Sequence, residues 1–170
     1  MFYRAASNQY IVEQTPFTID GTGYPSDWLN HASADDKTAL GLVEVTYQGT
    51  REDDRFYWVT ENRNGAVITF TNTPKDLAAL KTQWKAQINQ NAYVTLLPSD
   101  WMVVKALETS ATVPADWTTY RAAVRTAAAT AVAAIDASAD VPALQAAVQV
   151  TWPNDPNYVA PTETDTQQQA

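Results

Sequence analysis

The hydrophobic pattern of the chain changes period near Thr73. Before it, apolar residues alternate or run in short β-branched and aromatic stretches; after it, they recur every three or four positions. The first regime predicts strands over residues 8–13, 42–49 (alternating through Val43, Val45 and Tyr47), 55–60 and 66–71. Asn64-Gly65, between the last two, is a hairpin signal because both residues tolerate positive φ. Within 55–60, alternation puts Phe56 and Trp58 on one face and Tyr57 and Val59 on the other. Both faces are apolar, so this strand is either covered twice or turns one face to a partner. Residues 25–40 interrupt the strands with a helical pattern, for which Ser33 is the expected N-cap, with Asp35 and Asp36 in the first turn.

In the second regime, Thr73-Pro74 reads as a cap followed by proline at the first helical position. Leu77, Leu80, Trp84 and Ile88 then predict an amphipathic helix reaching about Tyr93, with Lys81, Lys85, Gln87, Asn89 and Gln90 opposite. Its stripe either packs on the sheet or serves as the self-association seam of a homodimer, although about four turns is short for a coiled coil. Helices follow over 100–107 and 116–137, the latter striped by Tyr120, Val124, Ala128, Ala131 and Ile135, and a last short one over 142–148. The expected fold class is α+β: a small antiparallel β-sheet domain with a helical insertion (1–73), an amphipathic linker helix (74–97) and a helical C-terminal domain (98–153). The proline-broken, polar end (154–170) is expected to be a flexible tail.

Composition narrows the function classes. The chain has 170 residues and a net charge of −8, distributed as five basic against ten acidic residues in 1–74, six against six in 75–152, and none against three beyond. No basic stripe is present for a phosphate backbone to neutralise, which argues against nucleic acid as a partner. The absence of cysteine removes disulfides, thiolate metal sites and cysteine nucleophiles. Neither a secretion signal nor an apolar run of membrane-spanning length is evident, so a protein made and kept in a cytosol, away from membranes, is expected. Six Trp and eight Tyr supply side chains with a large apolar area and a polar tip, suited to contact surfaces as well as cores.

Candidate chemistry is sparse. His31 is the single histidine; a triad with Asp27 and Ser26 or Ser33 lacks the glycine pattern of a nucleophile elbow, and a surface or helix-end histidine fits better. One histidine without cysteines gives no transition-metal set. Glu52-Asp53-Asp54 lacks calcium-loop spacing and reads as a solvated turn, with Arg51 and Arg55 as local partners. A glycan hydrolase would need a carboxylate pair in a cleft, and these three acids would be the ones to supply it. With five scattered glycines, no phosphate cradle is expected, and no cofactor or metal. Three similar tetrapeptides, Pro25-Ser26-Asp27-Trp28, Pro98-Ser99-Asp100-Trp101 and Pro114-Ala115-Asp116-Trp117, have the form of helix starts. Trp84 belongs to its helix stripe, whereas Trp152, beside Pro153 and outside any helix, is the expected exposed anchor.

Two stretches resemble the tail-fibre assembly chaperones, or tail assembly chaperone-like proteins, of tailed bacteriophages. The more specific comprises Ser99-Asp100-Trp101-Met102-Val103-Val104-Lys105, Glu108, Val113-Pro114, Tyr120-Arg121-Ala122-Ala123-Val124-Arg125 and Trp152-Pro153. The other comprises Tyr24-Pro25, Trp28-Leu29, Ala39-Leu40-Gly41 and Asp54-Arg55-Phe56-Tyr57. Val124 departs from the family's more usual leucine, and Met102 from the aromatic common after Asp-Trp. The resemblance implies a non-enzymatic protein that binds the trimeric tail-fibre protein and promotes its folding or trimerisation in the host bacterial cytoplasm. Retention on the virion tail fibre is compatible with that role, and a permanent structural or adaptor protein of the tail or baseplate is the alternative. Candidate partner-binding residues are Trp101, Tyr120, Arg121, Arg125 and Trp152. Arg121 and Arg125, four apart on one helix face, would meet carboxylates of a partner or Glu108 of this chain.

Overall fold

A computed structural model describes residues 1–158 and shows an α+β fold that divides into two compact units, Met1–Pro74 and the chain from Lys75 onward. The first holds three small sheets. Strand β1 (Phe2–Arg4) lies between β2 (Gln9–Ile11) and β5 (Leu42–Glu44), antiparallel to both. Strands β3 (Phe17–Ile19) and β4 (Thr22–Tyr24) form a tight hairpin whose turn, Asp20-Gly21, has φ of +49 and +83, as a type I′ turn requires. Helices α1 (Trp28–His31) and α2 (Ala34–Ala39) follow; Ser33 caps α2 in a reciprocal capping box with Asp36, as its sequence indicates. Ile11, Ile19, Leu29 and Leu42 make the core here, flanked by the mutually packed rings of Phe17, Tyr24 and Trp28. Arg4 closes its edge, donating to Leu40 O and to both oxygens of Asp20.

The strand expected over 42–49 is two strands in two sheets. After β5 the chain turns at Val45, whose amide donates to Met1 O, and β6 (Thr46–Gln48) then runs parallel to β8 (Val67–Pro74). That change of partner explains why Val45 is buried while Val43 and Tyr47 are exposed, against the alternation of an unbroken strand. Strand β7 (Tyr57–Asn64) pairs antiparallel with β8 and, among the described residues, ends the order β6-β8-β7. Phe56, 1% exposed, precedes β7 rather than sharing a face with Trp58, which is 65% exposed. The β7–β8 turn is Gly65-Ala66, one residue later than Asn64-Gly65, with Gly65 alone at positive φ. Ahead of β7, Arg51 pairs with Asp54 and Arg55 with Asp53, the local partners expected for that turn.

The second unit is helical. Helix α3 (Leu77–Leu96) is capped by Asp76, whose carboxylate accepts from the Ala79 amide; Thr73 and Pro74 belong to β8 instead, Pro74 opposite Tyr57. Leu80, Ile88 and Ala92 are buried, and α3 packs along α5 (Ala115–Ala137). The helix expected as a linker, or as a free dimer seam, therefore spends its stripe inside this unit. Lys85 pairs with Asp136, and Lys81 donates to Asp136 O, at the edge of that packing. Helix α5 buries Tyr120, Arg121, Val124, Ala128, Ala131 and Ile135, the expected stripe with Arg121 added. Helix α6 (Val141–Ala147), capped by Asp140, seals it with Val141 and Leu144. Ile135 and Leu144 are fully buried, each contributing about 1.5–3 kcal/mol relative to exposure. A 3₁₀ turn, Leu97–Ser99, joins α3 to α4 (Asp100–Thr109). Of the expected tail, residues 159–170 lie outside the described residues.

Candidate binding groove and the α3–α4 junction

Pro98 sets the local geometry. It has no amide to bond back to Val94 O, the chain tightens into the 3₁₀ turn, and the Asp100 amide donates to Leu97 O, which leaves the Leu96 carbonyl short of a backbone partner. Arg121 reaches across from α5 and donates to Leu96 O at 3.2 Å, to the Ser99 hydroxyl, and to Asp100 Oδ1 at 2.7 Å. Ser99 in turn donates to Leu96 O at 2.8 Å. Arg121 is 7% exposed and Ser99 1%, so the guanidinium closes this junction from inside, where a cation also suits the negative end of α3.

Next to the junction a groove of about 530 Å³ opens, lined by Thr95, Pro98, Trp101, Met102, Trp117, Tyr120, Asp155 and Asn157. Tyr120 is buried on its helix stripe and meets Trp117 edge-on, with ring centroids 5.7 Å apart. Burial, and secondarily the Asp155 carboxylate, pushes the Tyr120 phenol up from its ordinary value, so the ring stays neutral. Trp101 stands at the rim, 56% exposed, with Lys105 Nζ 5.7 Å from its ring centroid. Asp155 and Asn157 supply the polar side; Asp155 Oδ1 accepts from the Asn157 amide and holds that turn in place. The groove is thus an open trough that combines three aromatic rings with Thr95, Asp155 and Asn157, a mixed lining suited to amphipathic side chains of a partner.

Of the five sequence candidates, Trp101 and Tyr120 meet in this groove. Arg121 does not reach a partner's surface: it is consumed by Asp100, Ser99 and Leu96 of its own chain, and Glu108 is not among its partners. Arg125 is exposed one turn on, beside Arg121 in a shallower hollow with Val103, Val113 and Thr118. Trp152 is half-buried rather than a projecting anchor. Trp117 and Met102 were missed as groove residues, although Trp117 is three residues before Tyr120, the spacing that stacks two side chains on one helix face.

The three Pro-x-Asp-Trp segments do begin α1, α4 and α5, but their tryptophans part ways. Trp28 packs on the first unit's core, Trp117 on Tyr120, and Trp101 faces outward. His31 is exposed at the end of α1, with Nε2 3.9 Å from Asp27 Oδ2, an ordinary i,i+4 surface pair. Among the described residues no three histidines or acids gather as a metal site, and no helix is long and apolar enough to cross a membrane. Neither a protein-family model nor a curated protein nor a solved structure matches the chain.

Proposed function

We propose that this protein is a non-enzymatic tail-fibre assembly chaperone of a tailed bacteriophage, acting in the host bacterial cytoplasm. The observation that carries the reading is the aromatic groove, because it lies inside the segment that resembles such chaperones and keeps Trp101 exposed at its rim. Fibres of this kind are long β-rich trimers whose strands expose edges and apolar faces before the trimer closes, and those surfaces aggregate unless covered. A trough lined by Trp101, Trp117, Tyr120 and Met102 offers apolar cover, and a net charge of −8 keeps the complex dispersed.

Trp101→Ala tests the groove directly. Trp101 is more than half exposed on a helix that buries no residue, so the variant keeps its thermal melt. Affinity for a candidate tail-fibre protein of a tailed bacteriophage, measured by titration calorimetry, should fall at least about tenfold, the loss of one aromatic hot spot. Unchanged affinity would remove the groove from the interaction.

A further inference from the structure

A second apolar surface lies on the α3–α4 segment and is not explained by the groove. Tyr93, Val94, Leu97, Trp101, Val104 and Leu107 are each between 49% and 79% exposed. Their order is helical: Val94, Leu97, Trp101 and Val104 are spaced three, four and three apart. The inward positions on the same segment, Ala92, Leu96, Ser99, Val103 and Ala106, are spaced four, three, four and three. The burial pattern therefore keeps its phase across the 3₁₀ turn, and the exposed positions have a 3.5-residue spacing over about three turns, a short helix-on-helix patch. Helix α4 buries none of its residues and makes no extended contact with α3, α5 or α6.

We propose that a second copy of this chain covers this seam, its α3–α4 segment lying parallel to the first. Six half-exposed large side chains offer roughly 600 Å² per protomer, at the top of the range a monomer leaves bare in one patch. It also approaches the ~800 Å² that each partner buries in a stable interface. With Val94 and Trp101 as the first seam position and Leu97 and Val104 as the second, Asp100 and Lys105 flank the seam on opposite sides, five residues apart. In a parallel pair that offset sets Asp100 of each copy beside Lys105 of the other, opposite in sign, at the positions where such seams form interhelical ion pairs. The Asp100 side chain is 45% exposed even while it holds Arg121, which leaves it accessible to the partner. Trp101 is shared between this seam and the groove rim, so the test avoids it.

The experiment is sedimentation of the full chain over a range of concentrations, with introduced cysteines as position markers in a protein that has none of its own. The wild type should pass from 18.7 kDa towards twice that mass. Val104→Glu with Leu107→Glu should weaken the dimer at least tenfold while leaving the melt of the dilute monomer unchanged, whereas Val12→Glu, equally exposed in the first unit, should not weaken it. Val104→Cys should cross-link to itself on oxidation, because like positions meet across a parallel seam at disulfide distance. A monomer at every concentration, or a dimer indifferent to the double substitution, would overturn the proposal. Cross-linking of Val104→Cys no better than that of Val12→Cys would overturn the parallel arrangement.

Discussion

Helices α4 and α5 are neighbours in sequence and both rich in apolar residues, yet they are used in opposite ways. Helix α5 buries six residues on one stripe, including a charged one, and α4 buries none. Length does not account for this, since α6, with seven residues, buries two. What differs is whether the apolar positions find a partner in the same chain. The α5 stripe meets α3 and α6, while α4 turns Trp101, Val104 and Leu107 outward and leaves Met102, Val103 and Ala106 only half-buried. Apolar content measures the capacity to bury surface; only the placement of that content shows whether the burial occurs within the molecule.

The contrast can be broken by substitution. Ile135→Ala, at a fully buried position of α5, should cost about 2–5 kcal/mol through lost transfer and the cavity left behind, read by chemical denaturation. Arg121→Ala should cost somewhat less, about 1–3 kcal/mol, because it removes the buried donor of the junction: Ser99 and Leu96 O keep only their bond to each other, and the Asp100 carboxylate keeps partial access to water. Removal of Arg121 is therefore expected to lower the melt, and a fibre-binding test through this residue would report folding. Arg125→Ala, exposed on the same helix, should leave the melt in place. Asp76→Ala should cost about 1 kcal/mol by removing the α3 cap, with the far-UV helical signal loosening first at that end. Leu107→Gln, at the most exposed apolar position of α4, should stay within about 0.5 kcal/mol of wild type when the dilute monomer is denatured.

A smaller effect separates the first unit from the second. The hydroxyl and amide of Ser33 both donate to Asp36 and hold its carboxyl below the ordinary carboxylate range. A group whose value is depressed on folding stabilises the protein above its unfolded pKa and loses that contribution as pH falls through the folded one. Acid should therefore loosen α2. In Ser33→Ala, the Asp36 resonance followed by NMR should titrate at higher pH, closer to an unperturbed aspartate.

Much of the helical unit was legible because its periodicity is long. The α5 stripe needs five residues at helical spacing, and Tyr120, Val124, Ala128, Ala131 and Ile135 supply them. Short strands offer no such redundancy. The three-residue β1 and the β3–β4 hairpin were not anticipated, although Asp20-Gly21 has the residues of a tight hairpin turn. Thr73-Pro74 has the composition of a helix start, and only its pairing opposite Trp58 and Tyr57 shows that the strand claims it and leaves the cap to Asp76. For the groove, Trp101 and Tyr120 could be named in advance, but the burial of Arg121 could not. It follows from the Leu96 carbonyl that the 3₁₀ turn leaves at the end of another helix, a requirement visible only when α5 is packed beside that junction.

The most direct test of the chaperone reading is co-expression of this protein with a candidate tail-fibre protein of a tailed bacteriophage, followed by size-exclusion chromatography with light scattering. The account predicts that the fibre becomes soluble and trimeric only when this protein is present, and that Trp101→Ala impairs the rescue. A fibre that folds equally well alone, with no complex eluting, would contradict it.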